Sequence, residues 1–136
     1  MKGDIAMAKY VYPAVFTPEE GGYTVAFPDF ESCYTEGDTL EEAMAMANDV
    51  LCLTLYDMEE TGKEIPTPSP IKEVKTEGEA FASLVRCDTI EYRKYFDNKA
   101  IKKTLTIPNW LNTIAERQGV NFSMILQNAL KKELNI

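Results

Sequence analysis

The sequence predicts an α+β fold: a strand-rich N-terminal domain carrying one long helix, followed by a short module of one strand and two helices. Aromatic and β-branched residues cluster in short segments typical of strands. After the first strand segments, apolar residues recur at the helical period over one long stretch, and two shorter helical stretches lie near the C-terminus. The three clearest strand segments are residues 9–16, 23–27 and 80–87.

The charge changes sign along the chain, and this places the domain boundary. Residues 1–98 hold 8 Lys or Arg and 20 Asp or Glu, whereas residues 99–136 hold 6 and 2. An acidic body suits a cationic partner, and a basic tail suits an anionic one. We therefore predict two domains, residues 1–97 and 98–136.

The first strand and the second form a predicted hairpin over residues 9–27. Residues 17–22 make the turn, where Gly21 and Gly22 supply positive φ angles. Pro13 has no backbone N–H to donate to a neighbouring strand, so we expect it at a sheet edge or a bulge. A short third strand is expected near residues 33–35.

A capping box starts the long helix. The side chain of Thr39 accepts from the amide of Glu42, while Glu42 reaches back to the amide of Thr39. Gly62 is the expected stop. The apolar face is predicted to comprise Leu40, Ala43, Met44, Ala47, Leu51, Leu55 and Met58. Met44, Met46 and Met58 are predicted to fill the core.

Residues 63–79 carry three prolines and no helical period, so they form a predicted loop. A strand over 80–87 and a short helix over 89–96 complete the first domain. The three cysteines, Cys33, Cys52 and Cys87, lack metal-ligand spacing and are expected to be reduced thiols.

Composition excludes several classes of function. The chain has no histidine, which removes Ser-His-Asp and Cys-His nucleophiles, histidine metal sites and histidine-based RNA cleavage. We expect no enzyme and no cofactor. No run of about 18 apolar residues and no apolar leader in residues 1–9 occur, so a cytoplasmic protein is expected. Met7 is an alternative start.

The C-terminal module is too small to be stable alone. Residues 100–107 alternate toward their end, with Lys102, Thr104 and Thr106 on one face. Pro108 is expected at the first position of the next helix, Gly119 at its end, and Asn121 as the cap of a second helix. Two copies of the strand can pair as a ribbon that fits the major groove of DNA.

This order of elements resembles a ribbon-helix-helix DNA-binding domain over nearly all of residues 99–136. The resemblance implies a homodimer that binds operator DNA, with a tetramer of paired dimers as the alternative assembly. Lys102, Thr104 and Thr106 would touch base edges, and the amides of Phe122 and Ser123, beside the Asn121 cap, would hold a phosphate. Alone, the alternation would favour an ordinary half-buried edge strand; the succession of elements and the positive charge favour DNA.

The N-terminal domain resembles the HicB antitoxin family over about residues 8–62. The resemblance implies a degraded RNase H-like domain with a small, mostly antiparallel sheet and a long helix. It also implies an antitoxin that silences a basic, mRNA-cleaving HicA toxin and represses its own operon. The matching segments are residues 10–16, 19–29, 33–39 and 41–43.

The predicted toxin contact is an acidic and aromatic surface around Tyr23, Asp29, Glu31 and Glu36. Two alternatives remain. In the first, the protein is a ribbon-helix-helix regulator with a ligand-sensing N-terminal domain. In the second, it is a metal-dependent nuclease that uses Asp29, Glu36 and Asp38. A solvated acidic rim explains those three carboxylates equally well.

Overall fold

The computed structural model describes residues 9–136. The expectations about the first eight residues, including Met7 as an alternative start, lie outside this part of the chain. The chain divides into two compact units, one ending at Lys99 and the other spanning Ala100–Ile136. The dividing point lies two residues after the boundary placed from charge.

The first unit is a four-stranded sheet with a helix on one face. The strands are β1 (Lys9–Glu19), β2 (Gly22–Ala26), β3 (Tyr34–Gly37) and β4 (Phe81–Asp88), in the order β3-β2-β1-β4 with every neighbouring pair antiparallel. This confirms the predicted hairpin and the α+β class. The turn is shorter than predicted, however, because β1 extends to Glu19 and Gly22 already belongs to β2, so only Gly21 of the two glycines has a positive φ, 87°. β1 is central, yet β2 ends at Ala26, opposite Val15. Pro13 lies beyond that point, where its missing donor breaks no pairing with β2.

Helix α1 (Leu40–Thr61) covers the inner face of the sheet and buries Ala43, Ala47, Leu51 and Leu55. Thr39 Oγ1 accepts from the amide of Glu42 at 3.1 Å, as predicted. The Glu42 carboxylate, however, accepts from the amide of Asp38 at 2.7 Å, one residue before the predicted donor. Gly62, at φ 73°, ends the helix as expected.

The predicted burial of Leu40, Met44 and Met46 is wrong, because all three side chains are exposed. α1 approaches the sheet very closely at its start: a Cβ built on Gly37 would lie 2.5 Å from the amide nitrogen of Ala43. Only small residues fit between helix and strand at this distance, so the longer side chains remain outside. Met58 is half-buried.

The loop between α1 and β4 is held by side chains from distant parts of the chain. It contains one 3₁₀ turn, Ile71–Glu73. The Tyr12 hydroxyl donates to the carbonyl of Pro66, and the Asp29 carboxylate accepts from the amide of Ser69 at 3.0 Å. The loop is therefore ordered against the sheet.

Helix α2 (Thr89–Phe96) has the predicted bounds, with Asp88 as its N-cap. A carboxylate at the end of α1 anchors it. Glu59 accepts from Tyr10 Oη at 2.7 Å and Thr89 Oγ1 at 2.9 Å, and pairs with Arg93 Nη2 at 3.0 Å. One buried carboxylate thus joins α1, β1 and α2.

The second unit contains α3 (Asn109–Arg117) and α4 (Phe122–Leu134). Pro108 caps α3 rather than occupying its first turn, one residue from the predicted place. Gly119 lies between the helices at φ 67°. Asn121 Oδ1 accepts from the amide of Met124 at 3.0 Å, which confirms the predicted cap.

The predicted strand over residues 100–107 is not formed in the single chain. Residues 97–108 belong to neither helix nor strand. A strand requires a neighbour for its backbone groups, and within the described residues of one chain this segment pairs with none.

Candidate functional site

Two separate surfaces carry the predicted binding residues, one in each unit. In the second unit, Lys102, Thr104 and Thr106 lie in the exposed segment before α3. Phe122 and Ser123 are the first two residues of α4. The Asn121 side chain accepts a hydrogen bond from the amide of Met124. The amides of Phe122 and Ser123 lie in the first turn of α4, where backbone N–H groups have no partner within the helix.

The apolar residues of the second unit are largely exposed in the single chain. Leu105, which the sequence alternation places on the face opposite the predicted contact residues, is 60% exposed. Further large apolar side chains exposed in this unit are Ile107, Leu111, Ile114, Ile125 and Leu130. Exposed apolar residues concentrated in this way are typical of an interaction surface.

The four predicted toxin-contact residues do not form one surface in the first unit. Glu36 lies opposite Thr24 on the open face of the sheet, whereas Tyr23 packs against the core beneath α1. The Asp29 carboxylate binds both the amide and the hydroxyl of Ser69. Glu31 is exposed in the loop before β3. The expected cluster is therefore divided between two faces and a loop.

The sequence also contains a long acidic stretch, which the four predicted contact residues do not represent. Residues 10–62, which include most of β1 and all of β2, β3 and α1, contain 12 Asp or Glu and no Lys or Arg. Within this region, β3 forms one edge of the sheet, and its residue Tyr34 is 69% exposed. The charge balance of residues 1–98 as a whole does not reveal this local absence of positive charge.

The nuclease alternative gains no support from the geometry. Asp29 is bonded to Ser69, Glu36 lies on the open sheet face, and Asp38 precedes α1. Among residues 9–136, no group of three His, Cys, Asp or Glu side chains is placed to hold a metal ion.

The three cysteines are free and buried. Burial raises the pKa of the Cys33 thiol, and a hydrogen bond from Thr54 at 3.4 Å acts in the opposite direction. Cys52 and Cys87 line a cleft of about 640 Å³ between α1, β4 and α2. The rim of this cleft includes Asp49 and Tyr92.

Comparison with known proteins assigns the family. Residues 12–129 match the family model described as HicB-like antitoxin of bacterial toxin-antitoxin systems. The chain belongs to the HicB-like antitoxin family.

A curated relative and a solved structure agree with this assignment. Antitoxin HicB 2 of Photorhabdus laumondii is 47% identical over 74 residues, which cover 54% of this chain and 48% of that protein. The matched region thus spans about half the length of this curated relative. A solved toxin-antitoxin complex from Streptococcus pneumoniae contains a chain with TM-score 0.60 and 32% identity, covering 92% of this chain and 99% of that one.

A HicA3 and HicB3 toxin-antitoxin complex supports the fold alone. Its matching chain has TM-score 0.50 and 18% identity, covering 58% of this chain and 99% of that one.

Within residues 9–136, no helix is long and apolar enough to cross a membrane.

Proposed function

We propose that this protein is an antitoxin that binds and neutralises a HicA-type, mRNA-cleaving toxin through its first unit. The observation that carries the proposal is the uniformly acidic stretch of residues 10–62. A toxin that binds RNA is cationic on its binding surface, and complementary charge speeds encounter and selects the partner. The relative from Streptococcus pneumoniae occurs in a toxin-antitoxin complex, in keeping with such a partner.

In this proposal the first unit is a degraded RNase H-like domain that acts by binding and catalyses no reaction. Family membership supports this role, as does the engagement of Asp29 with Ser69. The protein would act in the cytoplasm, where its mRNA-cleaving partner acts, and would need no cofactor.

The second unit is proposed to repress the protein's own operon as a ribbon-helix-helix dimer. Two copies of residues 100–107 would pair with each other, which supplies the ladder neighbour that the single chain lacks. The same association would cover the exposed apolar residues of α3 and α4. Pairing of dimers into tetramers is compatible with this arrangement.

In the dimer, Lys102, Thr104 and Thr106 would point into the major groove of operator DNA. Lysine can donate to guanine, and threonine can donate to a base edge or place its methyl group against thymine. The amides of Phe122 and Ser123 would hold a backbone phosphate at the start of α4.

Co-expression with the reading frame adjacent to this gene tests the proposal, and we expect that frame to encode a short, basic protein. We expect the full chain to restore growth and to co-purify with the toxin, and residues 1–97 to do both without binding operator DNA. Toxicity that persists at equal expression, with no complex recovered, would contradict the antitoxin role.

A ligand-sensing regulator is the second candidate function, and the cleft beside Cys52 and Cys87 favours it. In that case growth would not be restored, and a small molecule bound in the cleft would change operator affinity. Operator binding that responds to a cell-extract metabolite fraction, without toxin binding, would support this alternative.

A further inference from the structure

The free edge of β3 has backbone groups available for another strand. In an antiparallel sheet, successive residues direct their N–H and C=O groups to opposite sides. The amide of Phe27 donates to the carbonyl of Cys33 at 2.9 Å, continuing the register that pairs Val25 with Thr35. Odd-numbered residues of β3 therefore face β2, and the backbone groups of Tyr34 and Glu36 face outward.

Within residues 9–136, β3 carries no lysine or proline to prevent strand pairing, and its protection is limited to its length of four residues and the charge of Glu36. Natural edge strands are protected by lysine, proline, bulges or a covering element. Tyr34 and Glu36 are neither lysine nor proline, and both side chains are exposed. The next outward amide, that of Asp38, is already bonded to the Glu42 carboxylate, so the available segment is short and well defined.

An exposed apolar stripe of α1 lies beside this edge. The sulfur of Cys33, just before β3, contacts the carbonyl of Val50 at 3.9 Å and the hydroxyl of Thr54 at 3.4 Å. This side of α1 therefore faces β3. Met46 and Leu53 share that side with Val50, because residues three and four apart lie together on a helix, and Leu53 is 51% exposed.

The surroundings of the edge select a basic partner. Glu31, Glu36 and Asp57 lie in the elements around the β3 edge and the α1 stripe. All of them belong to residues 10–62, which contain no Lys or Arg. A strand rich in lysine or arginine would meet complementary charge on both sides of its backbone contacts.

The opposite edge of the sheet lacks these properties. By the same alternation, the backbone groups of Ala82, Leu84 and Arg86 face outward on β4. The carbonyl of Arg86 is occupied by the side chain of Asn48, and the 3₁₀ turn Ile71–Glu73 contacts β4. The β4 edge is thus partly covered and carries positive charge.

We propose that the basic toxin adds an extended strand to β3, with its apolar side chains against Tyr34 and the α1 stripe. This proposal rests on the antitoxin function proposed above. Main-chain hydrogen bonds to Tyr34 and Glu36 supply affinity in this mode of recognition, and neighbouring side chains supply specificity.

The test compares proline and alanine at one position of the full chain. Glu36→Pro removes the outward amide without removing a bond to β2, whereas Glu36→Ala removes only the carboxylate. With an inactive variant of the toxin identified by the co-expression experiment as the probe, we expect Glu36→Pro to bind at least tenfold more weakly than Glu36→Ala. Ala82→Pro, the matched change on the β4 edge, should bind as the wild type does.

Hydrogen–deuterium exchange of the wild-type protein gives a readout that does not depend on how the variants fold. The amides of Tyr34 and Glu36 should gain protection when the toxin binds, and those of Ala82 and Leu84 should not. Equal affinities of two folded Glu36 variants, or unprotected β3 amides in the complex, would overturn strand addition while leaving the antitoxin function intact.

Two further outcomes are distinct. Protection of the β3 amides that grows with antitoxin concentration in the absence of toxin would assign this edge to a second copy and overturn the proposal. Absence of any complex between the wild-type protein and the toxin would instead remove the antitoxin function, and strand addition with it.

Discussion

Replacing Glu59 with glutamine tests what holds α2 against the rest of the first unit. The Glu59 side chain is 3% exposed and accepts from Tyr10, Thr89 and Arg93 at 2.7 to 3.0 Å. Glutamine keeps the shape but replaces one acceptor oxygen with an NH₂ group and removes the charge. Because hydrogen bonds to charged groups contribute about 1.5–3 kcal/mol each, we expect Glu59→Gln to lower the free energy of unfolding by about 2–3 kcal/mol.

The neighbouring residue supplies the control. Glu60 also pairs with Arg93, but its side chain is 47% exposed, and exposed ion pairs contribute about 0–1 kcal/mol. Urea unfolding followed by the near-ultraviolet signal of tyrosine, in a Trp110→Phe background, reports on this unit, since all seven tyrosines precede residue 100 and Trp110 is the single tryptophan. If Glu59→Gln and Glu60→Gln shift the tyrosine transition equally, the buried carboxylate does not anchor α2.

Three further outcomes are expected. The isolated fragment 99–136 should gain helix as its concentration rises, because its core forms only in the dimer; a concentration-independent circular dichroism signal would contradict this. Thr104→Ala should lower specific operator affinity by about 1–3 kcal/mol, and Lys102→Ala should reduce the salt dependence by about one unit of slope if it contacts phosphate; anisotropy titrations at several salt concentrations that match the wild type would refute both. Burial and the nearby Asp29 charge raise the pKa of Tyr12 from 10.0 to about 12, so the folded state retains a proton that the unfolded chain releases. Stability should be complete below pH 10 and decline toward pH 12 by up to about 1.4 kcal/mol per pH unit, and Tyr12→Phe should show a shallower decline in alkaline unfolding.

Local features were predicted well because they depend on residues three or four apart. The Thr39 cap, the left-handed Gly62, the Asn121 cap and the bounds of α2 all occur where the sequence places them. Each is decided by a short side chain bonding a nearby amide, or by a residue that tolerates positive φ. The HicB resemblance similarly followed from residues that are close together in the chain.

Side-chain partners far apart in sequence were not predictable in this way. Asp29, predicted to contact the toxin, bonds Ser69, 40 residues away. Tyr23 and Glu36 were predicted to lie on one contact surface, yet alternation along paired strands places them on opposite faces of the sheet. Met44 has an apolar side chain at helical spacing, yet it is exposed, whereas its neighbour Ala43 is buried where α1 approaches Gly37 of β3.

The sequence by itself determined the succession of strands and helices, the caps that begin and end the helices, and the opposite charges of the two units, because propensity, capping and composition are local properties. Only the tertiary structure decided that β1 is central, that β3 and β4 are the edges, and that Glu59 is buried beneath α2. Those outcomes depend on which strands pair and how closely α1 packs on them. The strand predicted over residues 100–107 needs still more than its own sequence, because the backbone groups of a strand require a neighbour and the single chain provides none.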